Sequence, residues 1–303
     1  MSFVQRIINA QFNLAAKANP FPGGGNQLSI AGLRVSAKIT KALAPTKGTA
    51  FIQIWGMSLS EMNSLSTLGK IYQQIPKNTI TLMAGDTSMG AALPTVYYGI
   101  VLQAWIETSR APDISFNIEA LTLGNEAARN VNPISNKGQI DGAQVMEQIA
   151  GIMGCTFDNS AGASAMLFNP YFWGSPYSQA QQCANACGFD WCVDDKTLTI
   201  SPKGKGTSPA NPVVVSPKLG TLVGYPSFTR DGIKLKTPFN PNFRLLQQFT
   251  VADSQLSPAN GNAWRVMAVD HDIEALVPNG HWFSTVAAWN ASLTAQPPRP
   301  LVP

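Results

Sequence analysis

The sequence predicts a mainly β protein with an α+β insertion: two β regions, the first reading as a barrel or a sandwich, flanking a small helix–helix–hairpin module. Three observations carry that prediction. Short runs with apolar residues at alternate positions recur on both sides of the middle of the chain, punctuated by 25 glycines and 22 prolines, as strands and turns are. Helix start and stop signals concentrate in the middle. Charged residues make up only 13% of the chain, against roughly 25% in an average soluble domain, as suits β faces buried against copies of the same chain. The 303 residues allow two domains or one with an insertion. Boundaries are expected at 1–133, 134–203 and 204–303.

Residues 2–16 place Phe3, Ile7, Ala10 and Leu14 at a helix-like spacing, and "NPFPGGGNQ" (19–27) breaks the chain. Strands are expected at 27–40 and at 50–56, where Phe51, Gln53 and Trp55 alternate with Ile52 and Ile54. The stretch 58–69 opens with a helical turn, Met62 and Leu65 facing inward. Strands at 78–85, 95–108 and 113–122 complete the first region. In the middle, Asp141 with Gln144 forms a capping box for a helix through Met153, its buried face Val145, Ile149 and Ile152, its stop Gly154. A second helix has Ser175 as N-cap, Pro176 as first residue and Gly188 as terminator. "FDWCV" and "TLTIS" then flank Asp194-Asp195-Lys196 in a tight hairpin. Residues 202–212 read as a linker. Strand runs follow in "VVVSPKLGTLVGYPSFT", "GIKLKTPFN", "FRLLQQFTVA", "AWRVMAVDHDIEAL" and "HWFSTVAAWN". The tail "TAQPPRPLVP" reads as extended and polyproline-like.

Several function classes find little support. Net charge is +4 with no basic run, so a nucleic-acid footprint is weak. No apolar stretch is long enough to predict a transmembrane helix. "MSFVQRIINAQFNLAAKA" lacks the apolar core of a signal peptide, so folding in a cytoplasm is expected. In that reducing setting Cys155, Cys183, Cys187 and Cys192 read as free thiols, since C-x3-C-x4-C is not a zinc-knuckle spacing. Cys183 and Cys187 share a helical face with Ala180 and Ala184 and are expected to pack as small apolar groups. There is no G-x-S-x-G, Walker A, H-E-x-x-H or G-x-G-x-x-G motif. Glu61, Glu107, Glu119, Glu126 and Glu147 lie in contexts that single none of them out as one of a catalytic pair. The seven tryptophans, Trp55, Trp105, Trp173, Trp191, Trp264, Trp282 and Trp289, read as core or interface residues. No catalytic, cofactor or metal residue is predicted.

The densest polar cluster is "DHDIEALVPNGHW" (270–282), with both histidines, His271 and His281, among Asp270, Asp272 and Glu274. Strand alternation turns Asp270 and Asp272 away from His271. A turn on Pro278-Asn279-Gly280 would separate the two imidazoles, whereas a turn centred on Leu276 would pair them; Asn-Gly is the stronger turn signal. Even paired, they fall one ligand short of a catalytic zinc site. Trp282 is expected in a core.

"LSIAGLRVSAKITK" followed by "AFIQIWGMSLSEMNSLSTLG" resembles the opening of central baseplate hub proteins of contractile-tailed bacteriophages. "VMEQIAGIMGCTFDN" with "NPYFWGSPYSQAQQCANACGFDWCVDDKTLTI" is similar to their inserted module, and "VGYPSFTRDGIKLKTPFNPNFRLLQQFTV" through "WRVMAVDHDIEALVPNGHWFSTV" to their last barrel, where His271, Gly280 and Trp282 fall in a recurring hairpin. One departure is "RLLQQ" (244–248), where such proteins often turn with a glycine. The resemblance implies a non-enzymatic virion protein without cofactors. Three copies, a homotrimer, would form a ring in which each contributes two tail-tube-like barrels. That pseudo-hexameric ring would join the tail tube protein to the central spike protein, contact other baseplate proteins, and leave a lumen for DNA and the tape measure. The virion tail would be assembled in the host cytoplasm. Two other classes compete: a tail-associated cell-wall hydrolase, needing an acidic pair in a cleft, and a β-sandwich carbohydrate-binding module, working as a monomer with exposed tryptophans. Particle mass separates a ring from both.

Overall fold

The computed structural model describes residues 4–15, 21, 24–67, 78–89, 92–230 and 232–291. The chain opens on a strand, β1 (Arg6–Asn13), where the spacing of Ile7, Ala10 and Leu14 predicts a helix. The segment also holds a period of two, Ile8, Ala10 and Phe12, all of them buried. Pairing on both sides decides between the two patterns, because β1 lies between β2 (Gln27–Ile30) and β5 (Thr79–Asp86). Phe3 lies outside the described residues. The stretch expected as one strand at 27–40 breaks at Gly32, φ 72°, into β2 and β3 (Arg34–Ala42), while β4 (Thr49–Trp55) follows the predicted alternation, with Ile52 and Ile54 buried and Phe51, Gln53 and Trp55 half-exposed. α1 (Leu59–Leu65) starts on a full capping box between Ser58 and Glu61 and buries Met62 and Leu65. β6 (Thr95–Glu107) and β7 (Ser115–Leu121) complete the first region.

After the short α2 (Gly124–Ala128) comes the inserted module. Its pieces are β8 (Ile134–Ser135), β9 (Gln139–Asp141), α3 (Gly142–Met153), β10 (Thr156–Asp158), β11 (Met166–Phe168), β12 (Tyr171–Phe172), α4 (Pro176–Cys187), β13 (Phe189–Asp194) and β14 (Thr197–Pro202). Asp141 caps α3 through the Ala143 N–H at 2.9 Å, one position earlier than the Gln144 box expects; its other oxygen holds Ser164 at 2.6 Å. Val145 and Ile149 face inward as expected, but Ile152 is exposed, and Met146 and Met153 fill its place. The apolar stripe is rotated toward Met146 because α4 packs on that side. Asp195 and Lys196 take φ of 47° and 67°, the two left-handed residues of the primed turn that suits a two-residue hairpin.

The second region comprises β15 (Val213–Val215), β16 (Val223–Thr229), β17 (Gly232–Pro238), β18 (Gln248–Val251), β19 (Ala263–Ala275) and β20 (Trp282–Asn290). The segment read as a linker is not free, since Thr207 donates its N–H to Leu246 O at 2.9 Å and bridges Gln247. Leu246 itself, buried, adopts φ of 67°, so the turn in "RLLQQ" forms without a glycine. The proline-rich tail from 292 onward lies outside the described residues.

The two β regions are one sheet. Among the described residues thirteen strands join, with the main path β16-β17-β20-β19-β3-β4-β7-β6-β5-β1-β2 and with β18 and β15 branching from β19. The antiparallel β3–β19 pair welds the regions together. Three hydrophobic cores result, one in each β region and one in the module. The first core is completed by Phe239, Ile273, Ala275 and Trp282 from the second region. Pairing order in the two regions corresponds strand for strand: β3-β4-β7-β6-β5-β1 beside β16-β17-β20-β19-β18-β15. β6 and β19 are each 13 residues long, and each is bulged against the strand that follows it. One pair differs in sense, β1–β5 being antiparallel and β15–β18 parallel.

Candidate functional site

The histidine hairpin is β19–β20. His271 is 2% exposed, its Nδ1 lies 2.8 Å from Ser284 Oγ, and Phe239 meets its ring edge-on at 5.3 Å. Burial pushes its pKa down to about 3; the Lys41 charge adds to this and Asp194 opposes it. His271 is therefore a neutral core residue. Left-handed Leu276 and Asn279 shape the connection, and Gly280 N–H closes on Val277 O at 3.2 Å. His281 emerges exposed on the other face, Nδ1 2.8 Å from Asp272 Oδ2 and backbone N–H 3.0 Å from Glu274 Oε2. The imidazoles are separated, as the Asn-Gly signal predicts. Sequence reasoning missed that the same turn brings His281 level with Asp272; the parity that turns Asp272 away from His271 is the signal that could have found it. Among the described residues no group of three or more His, Cys, Asp or Glu could hold a metal ion.

A second polar cluster joins the three units. Lys41 of β3 places Nζ 2.5 Å from Asp194 Oδ1 and 3.2 Å from Asp195 Oδ1, at the hairpin of the module. Arg244 of the second region bonds Asp195 and stands 3.8 Å from Asp194. Lys41 and both aspartate side chains are under 10% exposed. Burial works against ionising Asp194, but Lys41 and Arg244 outweigh it and hold its pKa below the ordinary value. Asp195 is shifted the other way, because burial and the neighbouring Asp194 together exceed the pull of the two cations. Arg265 of β19 likewise bonds Asp190 of β13, whose carboxylate also accepts from the Gly204 N–H at 2.9 Å. Asp194 and Asp195 look like ordinary turn residues in the sequence, and their cations lie far away in it.

Of the four cysteines, all free thiols, Cys183 and Cys192 are buried, and burial raises the Cys155 pKa to about 11. A Cβ on Gly142 would lie 2.1 Å from Cys187 Sγ, so that glycine lets α3 approach α4. Of the glutamates, Glu61 is spent on its capping box and Glu147 is exposed on α3. Glu107 lines a polar cleft of about 280 Å³ with Asp113, Arg34 and Arg110. Two hydrogen bonds from Ser109 hold its pKa down, the wrong direction for the general acid of a glycosidase. Trp191, Trp264 and Trp282 are buried, while Trp173 is 63% exposed.

What stands open is an edge. β16 pairs only with β17 among the described residues, and buries one side chain, Pro226. Val223, Tyr225 and Phe228 are 38%, 63% and 53% exposed. An uncovered edge strand with apolar side chains is a template for another chain.

The model of the family described as "Baseplate hub gp41" matches residues 7–278. This chain belongs to that family. The hub is thus a structural component of the bacteriophage tail and not an enzyme. No curated protein sequence matches it. Its fold is that of the tail protein from Neisseria meningitidis MC58, with a TM-score of 0.57 at 10% identity over 94% of this chain and 96% of that one. The 43 kDa tail protein of prophage MuSo2 from Shewanella oneidensis gives 0.57 at 9% identity, over 95% and 97%. An Escherichia coli component of the type VI secretion system, described as structurally similar to T4 bacteriophage tail proteins gp27 and gp5, gives 0.55 at 10% identity over 85% and 73%. None of the hub's described helices is long and apolar enough to cross a membrane.

Proposed function

We propose that three copies of this hub form a ring of six quasi-equivalent β units, two from each chain, that joins the tail tube to the central spike of a contractile tail. Regions 1–133 and 204–303 are the two units, tail-tube-like barrels, and 134–203 is a module that braces them. The observation that carries this reading is the strand-for-strand correspondence of the two regions within a single sheet whose outer strand β16 is left uncovered. A chain built from two similar units and ending in an open edge can add copies head to tail, and forms a ring where the rotation from one copy to the next completes a circle. The ring works without catalytic, cofactor or metal groups: its buried charges are spent on one another and its histidines on packing and a surface pair. Other baseplate proteins bind its flank, DNA and the tape measure pass through its lumen, and assembly takes place in the host cytoplasm. Native mass spectrometry tests the proposal. One chain is 32.4 kDa, so three give about 97 kDa; a protein that remains a monomer at micromolar concentration refutes the ring. Imaging of the particle between tube and spike tests the placement.

A further inference from the structure

The junction inside the chain is a template for the junction between chains. In pairing order β3 corresponds to β16, and β19 to β6. The bulges fix the register of the second match. Val266 and Ala268 stand opposite Ala288 and Ala287, as Val101 and Gln103 stand opposite Ala120 and Glu119. A backbone bond repeats as well: Val266 N–H to Gln247 O at 3.0 Å, and Val101 N–H to Asn78 O at 2.9 Å. His271 therefore holds the place of Ile106, and Asp272 that of Glu107. On the other strand Ile39 faces Ala50 and Phe228 faces Ile233, while Ala50 and Ile233 face the matching residues Ala120 and Ala288. Ile39 and Phe228 are equivalent.

Within the chain β3 meets β19, with Ile39 opposite His271 and Lys38 opposite Asp272. Among the described residues β16 pairs with β17 alone, and beyond Ala104 β6 pairs with β7 alone. The exposure follows: Ile39 is 1% exposed and its equivalent Phe228 is 53%. We infer that β16 of one chain pairs antiparallel with the end of β6 of the next, with Phe228 opposite Ile106 and Ser227 opposite Glu107. Resting on the ring reading above, this names the surfaces that close it.

The backbone is oriented for that pairing. Thr229 and Gly232 close the β16–β17 hairpin, so alternation turns the N–H and C=O of Phe228 to the open edge. On β6, Thr67 takes both the N–H and the carbonyl of Ala104, so Ile106, two residues on, directs its own backbone groups the same way. Thr67 also sets a limit: the ladder between chains starts at Ile106 and is shorter than the one within the chain. Charge agrees. Glu107 holds the place of Asp272, and Lys234 lies next in its row, beyond the small Ser227.

The test is a disulfide. If Phe228 and Ile106 form a hydrogen-bonded pair, Ser227 and Glu107 form the adjoining non-hydrogen-bonded pair, with Cα atoms about 4.5 Å apart, inside the disulfide range. Glu107→Cys and Ser227→Cys are introduced singly and together in the full chain; neither residue belongs to a core. Under mild oxidation the double variant is expected to give covalent trimers on a non-reducing gel, and each single variant only monomers. A trimer by native mass without a covalent product overturns the edge assignment and leaves the ring standing. Cross-linking of Ser227→Cys alone reveals a symmetric β16–β16 contact and overturns it too. A double variant and parent that are both monomeric by mass overturn the ring and this junction together.

Discussion

Trp282→Ala measures how far the two β regions fold as one. Trp282 begins β20 of the second region yet is buried in the core of the first, 9% exposed. Phe239 packs edge-to-face against it at 4.8 Å, and the Arg6 guanidinium of β1 lies 5.5 Å from its ring centre. Truncation removes roughly 200 Å² of buried apolar surface, worth about 5 kcal/mol at 25 cal/mol/Å² as an upper bound. Partial collapse of the cavity brings the expected loss to ~3–5 kcal/mol. For a chain of this size each kcal/mol lowers Tm by about 2–4 °C, so a fall on the order of 10 °C is expected in thermal unfolding. The first region should lose stability with the second, read as faster hydrogen exchange in β1 and β3. Trp282→Phe, which keeps the contact with Phe239, should lose less than half as much. A Trp282→Ala protein that melts within about 1 °C of the parent refutes the claim that Trp282 ties the regions together.

Three further perturbations test the buried polar groups. His271 has a folded pKa of about 3 against an ordinary 6.5, so its contribution is complete above pH 6.5 and is lost as pH falls toward 3, where the unfolded chain takes up a proton and the folded chain does not. Urea titrations at a series of pH values should show the parent losing roughly 2–3 kcal/mol more than His271→Gln between pH 7 and pH 4.5; parallel profiles would contradict a buried neutral imidazole. Lys41→Met strands Asp194 and Asp195 with Arg244 alone and should cost about 3–5 kcal/mol, with hydrogen exchange rising first at the β13–β14 turn; a change under 1 kcal/mol argues that water already reaches the cluster. Replacing Cys183 and Cys187 together with Ala should cost on the order of 1–2 kcal/mol and leave the particle mass unchanged, and stoichiometric zinc in the purified parent would show that the thiols do more than pack.

Local pattern carried most of the fold. Strands with one buried face, such as β4 and β17, announce themselves by alternation, and α4 by Ser175, Pro176 and Gly188. Failures came where two periods coexist. In β1 the residues Ile7, Ala10 and Leu14 fit a helix while Ile8, Ala10 and Phe12 fit a strand, and only the neighbours β2 and β5 decide. On α3, Ile152 and Met146 are equally apolar, and which faces inward depends on where α4 lies. The separation of the histidines was legible because turn chemistry is local. The Lys41–Asp194–Asp195–Arg244 cluster was not, since it joins residues about 150 and 50 positions apart, and no local preference records such a partnership.

That cluster bears on how a ring of this hub could close. Among the described residues the two β regions meet at the β3–β19 strand pair and through the side chains the second region adds to the first core, and paired strands vary widely in twist. The module removes that freedom by gripping both sides: Asp194 and Asp195 hold Lys41 of the first region and Arg244 of the second, and Asp190 holds Arg265 on β19 itself. Carboxylates on the rigid β13 hairpin thus fix the angle between two units at a strand junction. In the proposed ring that angle repeats, once inside each chain and once between chains, and any error in it accumulates around the circle. Buried ion pairs contribute little net stability but tolerate few alternative geometries. Replacing Lys41 and Asp194 together by apolar residues of similar size should therefore cost less stability than Lys41→Met alone, yet broaden the distribution of assembled masses. If the double variant instead assembles as uniformly as the parent, the angle is set by β3–β19 pairing and core packing, and the cluster contributes nothing to closure.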